Sequence, residues 1–143
     1  MTDKWGRRLF KAGAVALLIL GLVHSLSLIR DLVPANDTEK QLVGLMSSYK
    51  FDLMGSLRSM EDLLRGFSVS FMLAAFGFGF FDVVLWGERS GLLKRAALVN
   101  MIWLAVMVGV SWHYFFVMPT SFLATTLLIF AIAWWKLPAE AKT

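Results

Sequence analysis

The stretch GFSVSFMLAAFGFGFF, residues 66–81, decides the fold class, because it contains no charged side chain. A helix of this length rises about 24 Å at ~1.5 Å per residue, which covers most of the ~30 Å hydrocarbon core of a bilayer. Arg58, Asp62 and Arg65 precede the stretch at helical spacing, which predicts wet turns at its start. The sequence therefore predicts a membrane-spanning helix over residues 63–86.

Three further stretches have the same apolar character, and they cover residues 12–29, 96–118 and 120–135. With 58% hydrophobic and 17% charged residues in a chain of 143, the protein is too apolar for a soluble domain of this size. Cysteine is absent, which excludes disulfides, thiolate metal sites and cysteine nucleophiles. The sequence therefore predicts an all-α fold, an integral membrane four-helix transmembrane bundle that forms one domain over residues 1–143.

The charged residues divide unevenly between the two sides of the four predicted spans. The side that holds both termini receives nine basic and three acidic residues: Lys4, Arg7, Arg8, Lys11, Arg89, Lys94, Arg95, Lys136 and Lys142 against Asp3, Glu88 and Glu140. The positive-inside rule makes this side cytoplasmic, so we expect an N-in/C-in topology in a bacterial inner membrane, with the segment 30–62 outside. The positive-inside rule therefore accounts for the net charge of +4, and no nucleic-acid partner is expected.

The chain also opens like a secretory signal peptide, with the basic run KWGRR at residues 4–8 before an apolar stretch. No clean small-residue cleavage site follows that stretch. We therefore expect an uncleaved first helix.

The loop between spans one and two is the one sizeable segment outside the predicted spans. Residues 34–39 read PANDTE, which is typical of a turn into a helix with Asp37 or Thr38 as the N-cap. We expect a short helix in this outer loop, lying on the membrane surface or capping the bundle. Its apolar edge would comprise Leu42, Leu45 and Met46.

Two short breaks order the remaining spans. The loop of residues 87–91 makes spans two and three antiparallel neighbours. Residues 117–120 contain Pro119, which predicts that one helix stops and the next begins there.

Four small residues recur on one face of the second span, and they are Gly66, Ser70, Ala74 and Gly77. Steps of four, four and three residues return to one face of a helix, and small side chains let another helix approach closely. This small-residue stripe predicts close packing inside the bundle. The alternative is contact with a second copy of the chain or with a larger membrane complex.

Both histidines of the chain fall at one predicted depth. His24 stands six residues before Arg30, at the outer end of span one, and His113 stands six residues before Pro119, at the outer end of span three. The two spans run in the same direction, so both imidazoles are expected about 9 Å below that end at ~1.5 Å per residue. The face with Gly13, Leu17 and Gly21 beside His24 is expected to be interior, as is the face with Ile102, Val106 and Gly109 beside His113. The adjacent face of span three is also expected to be interior, and it carries Asn100, Trp103, Met107, Ser111 and Tyr114.

Polar residues at the start of span two join the same layer, and ionisable groups inside a membrane are by default a functional-site hypothesis. The predicted ligand-binding residues are His24, Arg58, Asp62, Arg65, Ser68, His113 and Tyr114. Three interpretations stay open: a structural polar network, a pocket for an amphiphile with Arg58 or Arg65 as its anionic anchor, and axial ligation of a b-type haem by the two histidines. A zinc site would need a carboxylate to join the histidines, and no metal site is expected.

Two acidic residues have predicted partners. Asp62 is three residues from Arg65, so we expect an ion pair between them. Asp82, at the inner end of span two, is expected to pair with an interfacial cation. The available cations are Arg89, Lys94 and Arg95.

Residues 49–71 read YKFDLMGSLRSMEDLLRGFSVSF. This run resembles a signature of uncharacterised bacterial four-helix inner-membrane proteins, which also carry a histidine near the end of the first helix. The order of the spans is loosely similar to DoxX-like proteins. The resemblance implies the fold and the membrane, and it supplies no activity. Within the run, Gly55 predicts a turn, and Ser56 or Ser59 is expected to cap the helix that follows.

The sequence thus predicts a small inner-membrane protein whose outward-facing polar pocket binds an amphiphilic ligand, either a lipid or a quinone-like molecule. An accessory subunit of a membrane complex is the companion prediction. The alternative is a b-type haem-binding electron carrier or a small membrane enzyme that uses His24 and His113. No cofactor is favoured, and membrane lipids are the expected partners.

Overall fold

The computed structural model describes residues 2–29 and 33–139. In this part of the chain it contains five α-helices, a β-hairpin and a short 3₁₀ turn at Leu85–Gly87. The elements are α1 (Thr2–Ser27), α2 (Asp37–Ser48), β1 (Lys50–Leu53), β2 (Ser56–Ser59), α3 (Met60–Val84), α4 (Ser90–Tyr114) and α5 (Val117–Lys136). The predicted helical class is confirmed, and the hairpin is an addition to it.

Four segments of this structure are long and apolar enough to cross a membrane: Asp3–Leu26, Met60–Gly87, Ser90–Tyr114 and Val117–Lys136. They match the four predicted spans in number and order, and they support a multi-pass membrane protein. The side of the membrane that each end faces stays a prediction.

The break between the last two spans lies earlier than the sequence predicts. α4 ends at Tyr114, and the extended residues Phe115 and Phe116 connect it to α5. Pro119 therefore lies within the first turn of α5, where its missing N–H has no helical partner to lose. The buried hydroxyls of Ser111 and Thr120 share a hydrogen bond of 2.8 Å, which ties the two helices together across the break.

The described chain forms two compact units. The first comprises residues 2–20 and 75–139, and the second comprises residues 21–29 and 33–74. The first unit contains the apolar core, with side chains contributed by four helices. Its fully buried apolar residues include Phe10, Ala14, Leu17, Ala75, Ala97, Leu104, Phe130 and Ala133.

Glycines set the closest approaches in the first unit. A Cβ at Gly13 of α1 would lie 2.7–2.9 Å from ring atoms of Phe130 in α5, and a Cβ at Gly79 of α3 would lie 2.8 Å from Leu18. The ring of Phe130 also packs edge-on against Phe10 with 5.8 Å between centroids. Since apolar burial alone does not favour helix association in lipid, this close van der Waals packing holds the helices together.

In the second unit, the residue that caps α2 lies just before the two residues that the sequence predicts. The N-cap is Asn36, whose Oδ1 accepts a hydrogen bond of 2.9 Å from the N–H of Glu39. Glu39 returns the contact, since its carboxylate accepts from the Asn36 amide and from the backbone N–H of Ala35. The predicted caps, Asp37 and Thr38, are therefore wrong by one or two positions. Both lie inside the helix.

The hairpin pairs β1 with β2 in antiparallel register, from Lys50 opposite Ser59 to Leu53 opposite Ser56. Its two-residue turn consists of Met54 and Gly55, with φ of 54° and 87°. A positive φ at both positions is the geometry that matches the twist of a two-stranded hairpin. Asp52 Oδ1 accepts a hydrogen bond of 2.7 Å from the N–H of Gly55. The predicted turn at Gly55 is confirmed.

β2 passes directly into α3 through a capping box. The N–H of Ser59 donates to Asp62 Oδ2 at 2.9 Å, and the N–H of Asp62 donates to Ser59 Oγ at 3.1 Å. This reciprocal pair satisfies two backbone donors at the start of a helix. Of the two predicted caps, Ser59 performs the role.

Candidate functional site

A groove opens along the first three turns of α3, within the second unit. It has a volume of about 470 Å³ and is lined by Arg58, Asp62, Leu63, Gly66, Phe67 and Ser70. Arg58 belongs to β2, and the other five residues come from successive turns of one helix face. We name this feature the α3 groove. Its charged residues lie at the hairpin end and its apolar residues lie further along the helix.

The capping box positions the charged end of the α3 groove. Asp62 is held through one carboxylate oxygen by the N–H of Ser59, so its other oxygen is not needed by the cap. Nη1 of Arg58 donates to the carbonyl of Leu57 at 3.1 Å. A guanidinium has five N–H donors in a planar fork, and this contact leaves most of them for a ligand.

Small residues keep the middle of the α3 groove open. A Cβ placed on Gly66 would meet no atom within 4 Å. The hydroxyl of Ser70 donates to the carbonyl of Gly66 at 2.9 Å, so it is satisfied by its own helix. The prediction that the small-residue stripe packs closely inside the bundle is not met at Gly66. That residue lines open space, as does Gly77 further along α3.

Arg65 does not line the α3 groove. It is exposed on α3, and its predicted ion pair with Asp62 is not formed, because the carboxylate of Asp62 turns back to the Ser59 cap. The sequence spacing permits both arrangements. The carboxylate of Asp62 accepts from the backbone at the start of the helix because the N–H groups there lack partners within the helix.

His24 and Ser68 lie together in the second unit, as the predicted site requires. The imidazole of His24 lies beside the backbone of Ser68 and packs edge-on against the ring of Phe71 with 4.9 Å between centroids. These contacts are of the kind that a structural interpretation of His24 predicts. Neither residue lines the α3 groove.

His113 and Tyr114 belong to the first unit, where their rings pack at 84° with 4.5 Å between centroids. The expectation that the His113 face is interior is wrong. His113, Ile102, Val106 and Gly109 are all exposed, whereas Asn100, Leu104 and Ser111 of the same helix are buried. The core follows the face that carries Asn100. A haem site at His24 and His113 stays a prediction, and in the described residues no group of three or more His, Cys, Asp or Glu could hold a metal ion.

Asp82 has a different partner from the one that the sequence suggests. It is fully buried in the first unit and accepts hydrogen bonds of 3.0 and 2.8 Å from Nδ2 of Asn100. The expected pairing with Arg89, Lys94 or Arg95 is wrong. Lys94 donates instead to the carbonyl of Leu137 at 2.7 Å. The signal for the real pair is in the sequence, because Asp82 and Asn100 are the strongly polar residues inside two neighbouring apolar spans.

We compared the chain with protein-family models, curated proteins and solved structures. None of the three comparisons gave a match, so the predicted resemblance stays a prediction and the geometry above carries the functional argument.

Proposed function

We propose that the protein is a phospholipid-binding membrane protein that holds the headgroup of one lipid at the charged end of the α3 groove. The observation that carries this proposal is the order of the lining residues. Arg58 and Asp62 stand at the hairpin end of α3, and Leu63, Gly66 and Phe67 continue along a helix that is apolar enough to cross a membrane. An amphiphile has the same order of charged and apolar parts.

The charges of Arg58 and Asp62 favour a headgroup that carries both a negative and a positive group. The free N–H donors of Arg58 suit a phosphate, which guanidinium groups bind through paired hydrogen bonds. The second oxygen of Asp62 suits an ammonium group beside it. A phosphatidylethanolamine headgroup offers both, whereas a second anionic group in the same headgroup would be repelled by Asp62.

Size and shape support one occupant. A volume of about 470 Å³ lies within the range of about 300–1,000 Å³ that small-molecule sites show. It is too small for a whole lipid, so the groove would take the headgroup and the first part of one acyl chain. Gly66 makes that possible, because its missing side chain leaves the apolar half of the groove open.

The test is the retention of a defined lipid by the purified protein. The delipidated chain in detergent is titrated with synthetic phosphatidylethanolamine, and bound lipid is counted by native mass spectrometry. We expect one lipid to bind more tightly than the rest. Arg58→Gln should weaken its binding by about 10- to 100-fold, since a charge-assisted hydrogen bond contributes about 1.5–3 kcal/mol. Gly66→Leu should abolish binding by filling the groove.

Two variants control for general effects. Arg65→Gln is the control for Arg58→Gln, because it also removes one positive charge near the start of α3 but lies outside the groove. Gly77→Leu is the control for Gly66→Leu, because it places leucine at another open glycine of α3. Both should retain the lipid. Equal retention by all four variants and the wild type would mean that ordinary boundary lipid is being counted, and the proposal would be wrong.

A further inference from the structure

The first unit contains a polar pair that the α3 groove does not use. Asp82 of α3 is fully buried and Asn100 of α4 is 2% exposed, in two helices that are long and apolar enough to cross a membrane. Nδ2 of Asn100 lies 3.0 and 2.8 Å from the two carboxylate oxygens. The carbonyl oxygen of the same amide, Oδ1, is buried without a hydrogen-bond partner in the described structure.

The pair is short of donors. Two carboxylate oxygens and one amide oxygen are acceptors, and the amide NH₂ is the donor that faces them. A buried acceptor without a donor costs about 1–3 kcal/mol. One additional hydrogen, placed on the carboxyl group, would supply the missing donor, and a rotation of the Asn100 amide about its Cβ–Cγ bond would bring Oδ1 to it. The result is a neutral acid–amide pair with two hydrogen bonds.

No basic side chain among the described residues takes the place of that hydrogen. In the described part of the chain, no lysine or arginine lies in ion-pair contact with Asp82. Three lysines of this unit have contacts elsewhere: Lys11 of α1 over the ring of Trp86, Lys94 of α4 with Leu137 and the ring of Trp134, and Lys136 of α5 over the ring of Trp135. A bare carboxylate buried with one amide would be far less stable than a protonated one.

We propose that Asp82 and Asn100 form a proton-binding site inside the first unit, in which Asp82 is protonated at neutral pH and donates its hydrogen to Oδ1 of Asn100. The ligand of this site is a proton. The site is separate from the lipid proposal and does not depend on it.

Infrared spectroscopy of the purified protein at neutral pH tests the proposal directly, because a protonated carboxyl group has a C=O stretching band that a carboxylate lacks. We expect this band in the wild type and its loss in Asp82→Asn, which keeps the size and neutrality of the protonated residue. Asn100→Leu should shift the band, since the acceptor of the hydrogen is removed. Asp62→Asn is the matched control, because Asp62 is an exposed carboxylate of the same helix, and it should leave the band unchanged.

A second measurement needs no variant. Labelling aspartate with ¹³C at the carboxyl carbon should move the wild-type band to lower frequency, which keeps the test valid even if Asp82→Asn does not fold. A spectrum without an aspartate-derived band would overturn the proposal. A band that is absent in sodium buffer and appears when choline replaces sodium would also overturn it, because the pair would then be holding a metal cation.

Discussion

Gly13 shows how a single missing side chain determines the packing of the first unit. The ring of Phe130 occupies the space that a Cβ would take, at 2.7–2.9 Å, and it cannot retreat because it is fully buried against Phe10. The sequence predicts that this face of α1 is interior, and the burial of Leu17 on the same face agrees with that prediction. The contact with Phe130 could not be predicted, since periodicity does not identify a partner helix.

Gly13→Ala should therefore destabilise the protein. The steric cost of overpacking is about 1–3 kcal/mol, and it outweighs the gain of about 1 kcal/mol that alanine brings to a helix interior. Thermal melting in detergent measures the difference. Gly109→Ala is the matched control, because Gly109 is an exposed residue of α4 with no atom within 4 Å of its Cβ position. It should leave the melting temperature unchanged or raise it, and an equal loss in both variants would contradict the packing argument.

Asp82 shows the limit of sequence reasoning for single polar residues. Basic residues one or two turns beyond the span made an ion pair the natural expectation, yet the buried partner is an amide on the neighbouring helix. Loop length predicts that α3 and α4 are neighbours. It does not give the rotation of each helix about its axis, and that rotation decides which polar side chains meet.

The hairpin is the element of the fold that the sequence did not predict. Residues 50–59 contain a turn glycine but only four residues in each strand, too few for an alternating pattern to stand out from a loop. Met54 also hides the turn, because Asn or Asp is the usual residue before glycine in a hairpin of this type. Of the two helix caps, Ser59 of α3 was predicted and Asn36 of α2 was not, although each side chain accepts from the backbone N–H three residues later.

Substitutions at the two adjacent turn positions should change the stability of the hairpin in opposite directions. Met54 has φ of 54° and Gly55 has φ of 87°, a region that costs a residue with a Cβ about 1–2 kcal/mol. Gly55→Ala should weaken the hairpin, whereas Met54→Asn should strengthen it, since asparagine tolerates this backbone geometry. Amide hydrogen exchange of Lys50–Leu53 and Ser56–Ser59 reports both effects. Faster exchange in both variants would show that the turn conformation is not what holds the strands.

In the described part of the first unit, four basic side chains lie over indole rings. The pairs are Arg8 with Trp5, Lys11 with Trp86, Lys94 with Trp134 and Lys136 with Trp135, with 4.4–5.8 Å from each cation to its ring centroid. Every one of these residues falls on the side that the charge count predicts to be cytoplasmic. Tryptophan and basic residues both favour the membrane interface, so these contacts are typical of helix ends at an interface, and the side that this interface faces stays a prediction.

The topology can be tested in a chain that has no cysteine of its own. Thr38→Cys in α2 and Glu88→Cys in the loop before α4 are both at exposed positions. An impermeant maleimide added to intact cells should label Cys at position 38 and should label position 88 only after the membrane is opened. Labelling of position 88 in intact cells would mean that the predicted orientation is wrong. Ser90 in the same region is less suitable for labelling, because its hydroxyl donates to Asp3 at 2.6 Å and accepts from Arg7 at 3.2 Å, and a cysteine there would lose both contacts.

The number and order of the spans could be predicted because hydrophobic length is a property of each segment alone. The candidate site was predicted in part. Arg58 and Asp62 line one groove, but Arg65, Ser68 and His24 do not, and His113 lies on an exposed face. Depth along a helix follows from counting residues, whereas the direction of a side chain around the helix depends on contacts made by other segments.

The packing of α1 also fixes an order of events during synthesis. Leu137 lies within 3 Å of the position that a Cβ on Gly6 would take, and Phe130 covers Gly13. Phe130 belongs to the last of the three later helices of membrane length, and Leu137 follows that helix, so these two partners of α1 are synthesised late. The face of α1 that carries Phe10 and Leu17 must wait in lipid or in the insertion machinery until α5 is made. The packing of the first unit around α1 is thus complete only when the last of its four helices has been made.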